Sequence, residues 1–210
     1  MSKKLFRAAL VAACVCASAF AAAGQQPART RRGGLDNLSL PSTSTRVASA
    51  STGASAWQTF APEGAGFSVM LPGMPEEPAR GQGQTSAQLR SYRLAAGGLK
   101  YEIARTPPLP ARVVENPGFA EQFFAGAAEG LTAAIQHENP QIKFRLVSQQ
   151  TISLDGYEGR EFEFAAEGHR AVARVFLIEG SLFAVGVHGA KAEMTPDTVN
   201  KFLDSFALVQ

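Results

Sequence analysis

The stretch FRLVSQQTISLDGYEGREFEFAAEGHRAVARVFLIEGSLFAVGVH, residues 144–188, decides the fold. It contains four segments rich in β-branched and aromatic residues, separated by the pairs Asp155-Gly156, Glu167-Gly168 and Glu179-Gly180. Such pairs suit two-residue hairpin turns, because glycine accepts a positive φ angle at little cost. The stretch therefore predicts four consecutive antiparallel strands, over residues 144–154, 157–166, 170–179 and 181–188.

Side-chain alternation indicates how these strands are buried. Phe162 and Phe164 alternate with glutamates, which is typical of a strand with one buried and one solvated face. Residues 175–178 are continuously apolar, which indicates a central strand covered on both sides. Arg170 and Arg174 of the third strand are expected to pair with the glutamates of the second.

Further strands are predicted before this stretch. The side chains of residues 67–71 alternate in the pattern of a half-buried strand, and this strand is predicted to end at Pro72-Gly73-Met74-Pro75. Residues 88–94 and 100–106 are predicted to pair as a hairpin through the turn at 95–98.

Two helices are predicted. The first begins with Asn116 as its N-cap and Pro117 in the first helical position, and it ends at Asn139-Pro140. Its apolar residues recur at spacings of three and four, which gives it one apolar face. The second begins at Thr195, followed by a proline and an aspartate, with an apolar face over residues 199–206.

Residues 57–210 are therefore predicted to form a single domain of the α+β class, a mostly antiparallel sheet with two packed helices. The alternative is another α/β sandwich with an antiparallel meander. A domain of this length buries about 70% of its unfolded surface.

The N-terminus predicts export. Lys3, Lys4 and Arg7 precede an uncharged apolar run over residues 8–20. This is the pattern of a secretory signal peptide, assigned to residues 1–23 because small residues suited to cleavage follow the run. The protein is therefore expected to be periplasmic or extracellular.

Both cysteines lie within this leader. Its cleavage removes Cys14 and Cys16, so the mature chain would have no disulfide, no thiol nucleophile and no thiolate metal site. Residues 11–14, Val-Ala-Ala-Cys, also resemble a bacterial lipobox, in which Cys14 is lipidated and becomes the first mature residue. Both processing routes stay open, and the second would tether a lipoprotein to the membrane surface.

Residues 24–56 are rich in Arg, Ser and Thr and poor in large apolar side chains, which predicts a disordered linker. The whole chain has a formal net charge of +2, but residues 57–210 hold 13 basic and 17 acidic side chains, a net charge of −4. The positive charge thus belongs to the leader and the linker. An acidic exported domain argues against nucleic acid as a partner.

Four features of the sequence are similar to those of a known fold class: Trp57, FSVMLPGMP at 67–75, GYEGREF at 156–162 and FLDSF at 202–206. With them, residues 57–210 resemble the PsbP-like fold, named for an extrinsic subunit of the photosynthetic oxygen-evolving complex. More closely, they resemble uncharacterised bacterial exported proteins of that class. The resemblance implies a non-enzymatic accessory or binding domain, and it carries over no site residues.

No catalytic, cofactor-binding or metal-binding motif is found in the sequence. The three histidines, His137, His169 and His188, are too far apart for the short spacings of a zinc site. Glu161 and Glu163 share a strand face that is predicted to be solvated, which disfavours their use as an acid/base pair.

The sequence therefore predicts an exported, non-enzymatic binding or accessory domain of the bacterial cell envelope that needs no cofactor. Its expected partner is an envelope protein or a small ligand, it is expected to be a monomer, and membrane contact is expected only through a lipidated Cys14. Two alternatives stay open: a metal-dependent or acid/base hydrolase using Glu161, Glu163, His169 and His188, and a structural envelope component.

Overall fold

A computed structural model describes residues 56–75 and 90–209 of the protein. The predicted signal peptide, both cysteines and all but the last residue of the predicted linker lie outside the described residues. Within these ranges the strands are β1 (Gln58–Phe60), β2 (Phe67–Leu71), β3 (Arg90–Ala96), β4 (Leu99–Arg105), β5 (Arg145–Leu154), β6 (Tyr157–Ala166), β7 (His169–Ile178), β8 (Ser181–Ala190) and β9 (Ala207–Leu208). The helices are α1 (Ala111–Val114), α2 (Phe119–Glu138) and α3 (Pro196–Leu203).

The strands form two antiparallel sheets. The large sheet has six strands in the order β3-β4-β8-β7-β6-β5, and the small sheet has three in the order β1-β2-β9. A mostly antiparallel sheet with helices packed on it is thus confirmed, whereas the small sheet is not foreseen from the sequence. Its outer strands have three and two residues, which is too short for alternation to reveal.

The meander from β5 to β8 follows the prediction closely. β6 spans the predicted residues, and the other three strands differ by at most two residues at either end. Asp155 and Gly156 have φ angles of 50° and 85°, and Glu179 and Gly180 have 48° and 76°. Both pairs therefore adopt the left-handed conformation that a type I′ turn requires.

The large sheet is the middle layer between two hydrophobic cores. On one face α2 packs against Phe162, Phe164 and smaller apolar residues of the sheet. On the other face the small sheet and α3 bury Phe67, Phe176 and Phe202. The central strand β7 is therefore covered on both sides, as its continuous apolar run predicts, and so is β8.

The start of the long helix differs from the prediction. α2 begins at Phe119, and its N-cap is Gly118, whose φ angle of 78° is left-handed and which provides no side-chain cap. Asn116 instead donates a hydrogen bond from Nδ2 to the carbonyl oxygen of Arg112 in α1, 2.6 Å away. α1 is a third helix, whose four residues are too few to show a helical period in the sequence.

Thr195 caps α3 as predicted, because its Oγ1 accepts a hydrogen bond from the backbone N–H of Thr198 at 3.3 Å. We expect Thr195→Ala to lower the free energy of unfolding by about 1 kcal/mol, since one N–H at the helix start loses its acceptor. Thr195→Ser keeps the hydroxyl and should lose less than half as much in urea-unfolding experiments. Equal losses in the two variants would contradict the capping role.

Candidate functional site

Five ionisable side chains meet at the C-terminal end of α2. They form what we call the polar pocket: Arg93 of β3, Lys100 and Glu102 of β4, His188 of β8, and Glu138, the last residue of α2. Arg93 is paired with Glu102, and Lys100 with His188, across neighbouring strands. Directly paired residues point to the same face of a sheet, so the four strand residues share the face on which α2 ends.

Glu138 is the centre of the polar pocket. Its Oε2 lies 3.7 Å from Nζ of Lys100 and 3.5 Å from Nε2 of His188, and its Oε1 lies 3.8 Å from Nη2 of Arg93. Nε of Arg93 also lies 2.7 Å from Oε1 of Glu102. One residue of the helix is thus surrounded by basic groups from three strands.

The cations of the polar pocket are nearer to solvent than its other members. The side chains of Glu102, Glu138 and His188 are 8%, 10% and 6% exposed, whereas those of Arg93 and Lys100 are 23% and 52% exposed. Arg93 and Lys100 therefore form the rim of the polar pocket, and the acids and the imidazole form its floor.

Several buried atoms of the polar pocket make no hydrogen bond with another described residue: Nε and Nη2 of Arg93, Oε2 of Glu102 and Nε2 of His188. Nε of Arg93 is close to Glu102, but its N–H is not directed at the carboxylate oxygen. A buried polar group without a partner costs about 1–3 kcal/mol. The described residues therefore leave several buried polar atoms of the polar pocket without a well-aligned hydrogen bond.

Burial decides where the protons of the polar pocket lie. It raises the pKa of Glu102 to about 8 against the opposing charge of Arg93, and the Glu138 carboxylate adds to the rise. Burial also disfavours ionisation of Glu138, but His188, Lys100 and Arg93 outweigh it and hold the pKa of Glu138 below its ordinary value. Burial therefore favours the protonated form of Glu102, whereas the surrounding basic groups favour the ionised form of Glu138.

A small cavity lies beside Glu102, between Leu131 of α2 and the sheet. Its volume is about 10 Å³, enough for one water molecule. Small residues of the sheet leave this space open: Ala104, Ala173, Ala184 and Gly186. A cavity of this size cannot enclose a drug-sized molecule, so a larger ligand would have to contact the rim.

The structure separates the residues of the alternative hydrolase site. Glu161 and Glu163 form the expected cross-strand ion pairs, at 2.7 Å from Nε of Arg174 and 2.7 Å from Nε of Arg170. They lie on the face that carries α3, whereas His188 lies on the face that carries α2. The grouping of these glutamates with His188 in one site is therefore wrong, because side-chain alternation along β6 and β8 places them on opposite faces of the sheet.

The last residue of this alternative, His169, is the first residue of β7, directly after the turn at Glu167-Gly168. Its Nδ1 is 3.1 Å from the carbonyl oxygen of Glu167. Within residues 56–75 and 90–209, no three His, Cys, Asp or Glu side chains lie close enough to hold a metal ion. Cys14, the predicted lipidation site, lies outside the described residues.

Arg93, Lys100, Glu102 and Glu138 are functional candidates that sequence reasoning misses. Glu102 alternates with apolar residues in β4, which is the usual pattern of a solvated strand face. Glu138 is an ordinary polar residue at a helix end. His188 offers the available signal, since it is an ionisable residue that is buried in an otherwise apolar strand.

Comparison with known proteins finds similarity to solved structures, at the level of the fold. No protein-family model matches the sequence, and no curated protein matches it. Among solved structures, cyanobacterial PsbP (CyanoP) of Synechocystis sp. PCC 6803 is similar with a TM-score of 0.51 at 11% identity, over 76% of this chain and 96% of CyanoP. A Pseudomonas aeruginosa protein of unknown function (TM-score 0.36, 12% identity, 68% of this chain and 88% of that one) and a Bacteroides thetaiotaomicron protein (0.35, 12%, 72% and 48%) are more distant.

The similarity to CyanoP shows a PsbP-like fold, as the sequence resemblance implies. At this level of identity it concerns the fold alone, because one fold hosts many functions. None of the helices that the structure describes combines the length and the apolar character needed to cross a bilayer.

Proposed function

We propose that the protein is an exported, non-enzymatic binding or accessory domain of the bacterial cell envelope, and that it contacts its partner at the rim of the polar pocket. It would join the uncharacterised exported proteins of the PsbP-like fold class. The signal pattern of residues 1–23 supports export, and residues 24–56 would connect the domain to its point of attachment. The mature chain is either released by cleavage or held as a lipoprotein at Cys14.

The position of two basic side chains, Arg93 and Lys100, at the rim of the polar pocket is the observation that carries this proposal. Lys100 contributes a positive charge at the surface, Arg93 contributes a second one that is partly buried, and Glu138 contributes one negative charge, whereas burial favours the neutral form of Glu102. The rim of the polar pocket thus presents basic side chains on a domain of net charge −4. A partner that presents a carboxylate, whether an envelope protein or a small ligand, has the chemistry to bind there.

The same contacts support a non-enzymatic role. Glu161 and Glu163 are engaged by arginines, and Glu138 is surrounded by three basic groups. Glu102 borders a cavity of about 10 Å³, so a substrate has no room beside it. A general acid or base must reach the proton that it transfers, and these carboxylates are committed to other contacts.

Affinity capture from a solubilised envelope fraction tests the contact surface, with the full chain as bait. Lys100→Gln removes the most exposed charge of the polar pocket, and Lys191→Gln removes an exposed charge elsewhere. We expect the wild type and the Lys191 variant to retain the same partner, and the Lys100 variant to retain it about tenfold less. The reason is that a hydrogen bond to a charged group contributes about 1.5–3 kcal/mol.

Equal retention by the three proteins would contradict the rim as the contact surface. Saturable turnover of a hydrolase substrate panel, lost on changing one residue, would contradict the non-enzymatic role. N-terminal mass spectrometry of the mature protein distinguishes cleavage after Ala21 or Ala23 from acylation at Cys14.

A further inference from the structure

We infer that β5 is a pairing edge, through which two copies of this chain join their large sheets into one continuous sheet. Among the described strands, β5 ends the sheet order and pairs with β6 alone. Its other edge therefore presents a row of backbone N–H and C=O groups that pair with no described strand. Eight of its ten residues are exposed, and Ile152 and Leu154 are partly buried.

The side chains of β5 suit pairing with another strand. From Leu146 to Leu154 the strand has no charged residue, no glycine and no proline, whereas natural edge strands are often protected by lysine or proline. Leu146 and Val147 are 41% and 46% exposed. They lie at a β-bulge between Leu146 and Ser148, so residues 148–154 form the regular part of the edge.

A second copy of the chain is the partner that this edge fits, in place of the monomer expected from the sequence. Two uncharged edges meet without like-charge repulsion, even though each domain has a net charge of −4. Glu161, on the neighbouring strand, is bound by Nε of Arg174 at 2.7 Å and by Nε2 of Gln150 at 2.7 Å. The negative charge of Glu161 is thus compensated before two copies meet.

Two-fold symmetry limits the registers that such a pair can adopt. Side chains alternate between the two faces along a strand, and directly opposite residues of two paired strands point to the same face. Two antiparallel copies of β5 therefore keep their α2 helices on the same side of the joined sheet only when even-numbered residues lie opposite even-numbered ones. A register centred on Gln150 places that residue opposite its symmetry mate, Gln149 opposite Thr151, and Ser148 opposite Ile152. This register pairs the regular part of the edge and leaves the bulge towards its end.

The mass of the full chain in solution tests the inference, by size-exclusion chromatography with light scattering over a concentration series. We expect the wild type to reach twice the mass of a single chain. Gln149→Lys with Thr151→Lys sets like charges opposite one another and should weaken dimerisation at least tenfold. The matched control, Gln122→Lys with Ala133→Lys, adds the same charge on the exposed face of α2 and should leave the dimer intact.

A second variant tests the register without added charge. In a chain with Cys14→Ser and Cys16→Ser, we expect Gln150→Cys to form a disulfide-linked dimer under mild oxidation, because opposite residues bring their Cβ atoms within disulfide reach. Gln122→Cys should not do so. A mass of one chain at every concentration, a dimer that survives the β5 lysines, or linkage at position 122 alone would overturn the inference.

Discussion

Gly159→Ala is expected to lower the free energy of unfolding by about 3 kcal/mol, the upper end of what overpacking typically costs. A Cβ atom at this position would lie 2.7 Å from Cε1 of Phe176 and 2.9 Å from the carbonyl oxygen of Val175. The Phe176 ring cannot move away freely, because it is stacked on Phe206 with ring centroids 5.9 Å apart. The added methyl group would therefore displace the core beneath α3.

Urea unfolding followed by circular dichroism measures this loss. Gly186→Ala is the matched control, since it changes another strand glycine of the same sheet, and its Cβ would lie 3.4 Å from Cβ of Ala173. We expect the control to change the free energy of unfolding by less than about 1 kcal/mol. A loss at Gly159 no larger than the loss at Gly186 would contradict the assigned packing.

Glu102→Gln is expected to be more stable than the wild type by a few kcal/mol at alkaline pH, and about equally stable in mild acid. The pKa of Glu102 is about 8 in the folded protein, against an ordinary value of 4.5. Between these values the folded state holds a proton that the unfolded state has lost. The wild type therefore loses stability as the pH rises from about 4.5 to about 8, whereas glutamine has no such proton to release.

The measurement is urea unfolding of both proteins at a series of pH values. The difference between them isolates Glu102, because every other group titrates in both. Ser91→Ala, at the same cavity, changes a residue that does not titrate and should keep the wild-type pH dependence. If Glu102→Gln also kept it, burial of the carboxyl group would not govern stability in this range.

The strands of the meander, β5 to β8, could be predicted from the sequence because the patterns that mark them are local. β6 has the predicted bounds, since its phenylalanines mark one face and acidic-glycine pairs mark both ends. The start of α2 was not within reach. Gly118 begins that helix through its backbone conformation, while Asn116, which has a typical capping side chain, bonds to α1 instead. The residue type of Asn116 predicts that its side chain caps a helix end, but not which of the neighbouring helices it binds.

The polar pocket lies beyond what sequence patterns can show. Glu102 sits between Tyr101 and Ile103, and such alternation normally marks a face open to water. It is buried because the last turn of α2 crosses that face, and Glu138 at the end of the turn approaches the basic groups around it. The position of α2 on the sheet depends on packing between segments that are distant in sequence, and side-chain periodicity does not report such packing.

The strand order of the large sheet also sets a kinetic hierarchy. β5 to β8 follow one another through two-residue turns, so their pairings close short loops. β4 instead pairs with β8, which is distant in sequence. The pairing of Leu99 with Gly189 closes a loop that includes all of α2 and three strands. Closing so long a loop costs more entropy, so we expect the meander to form before the β3-β4 hairpin joins it. A nascent chain cannot complete this sheet until β8 has left the ribosome, which keeps the domain unfinished for most of its synthesis.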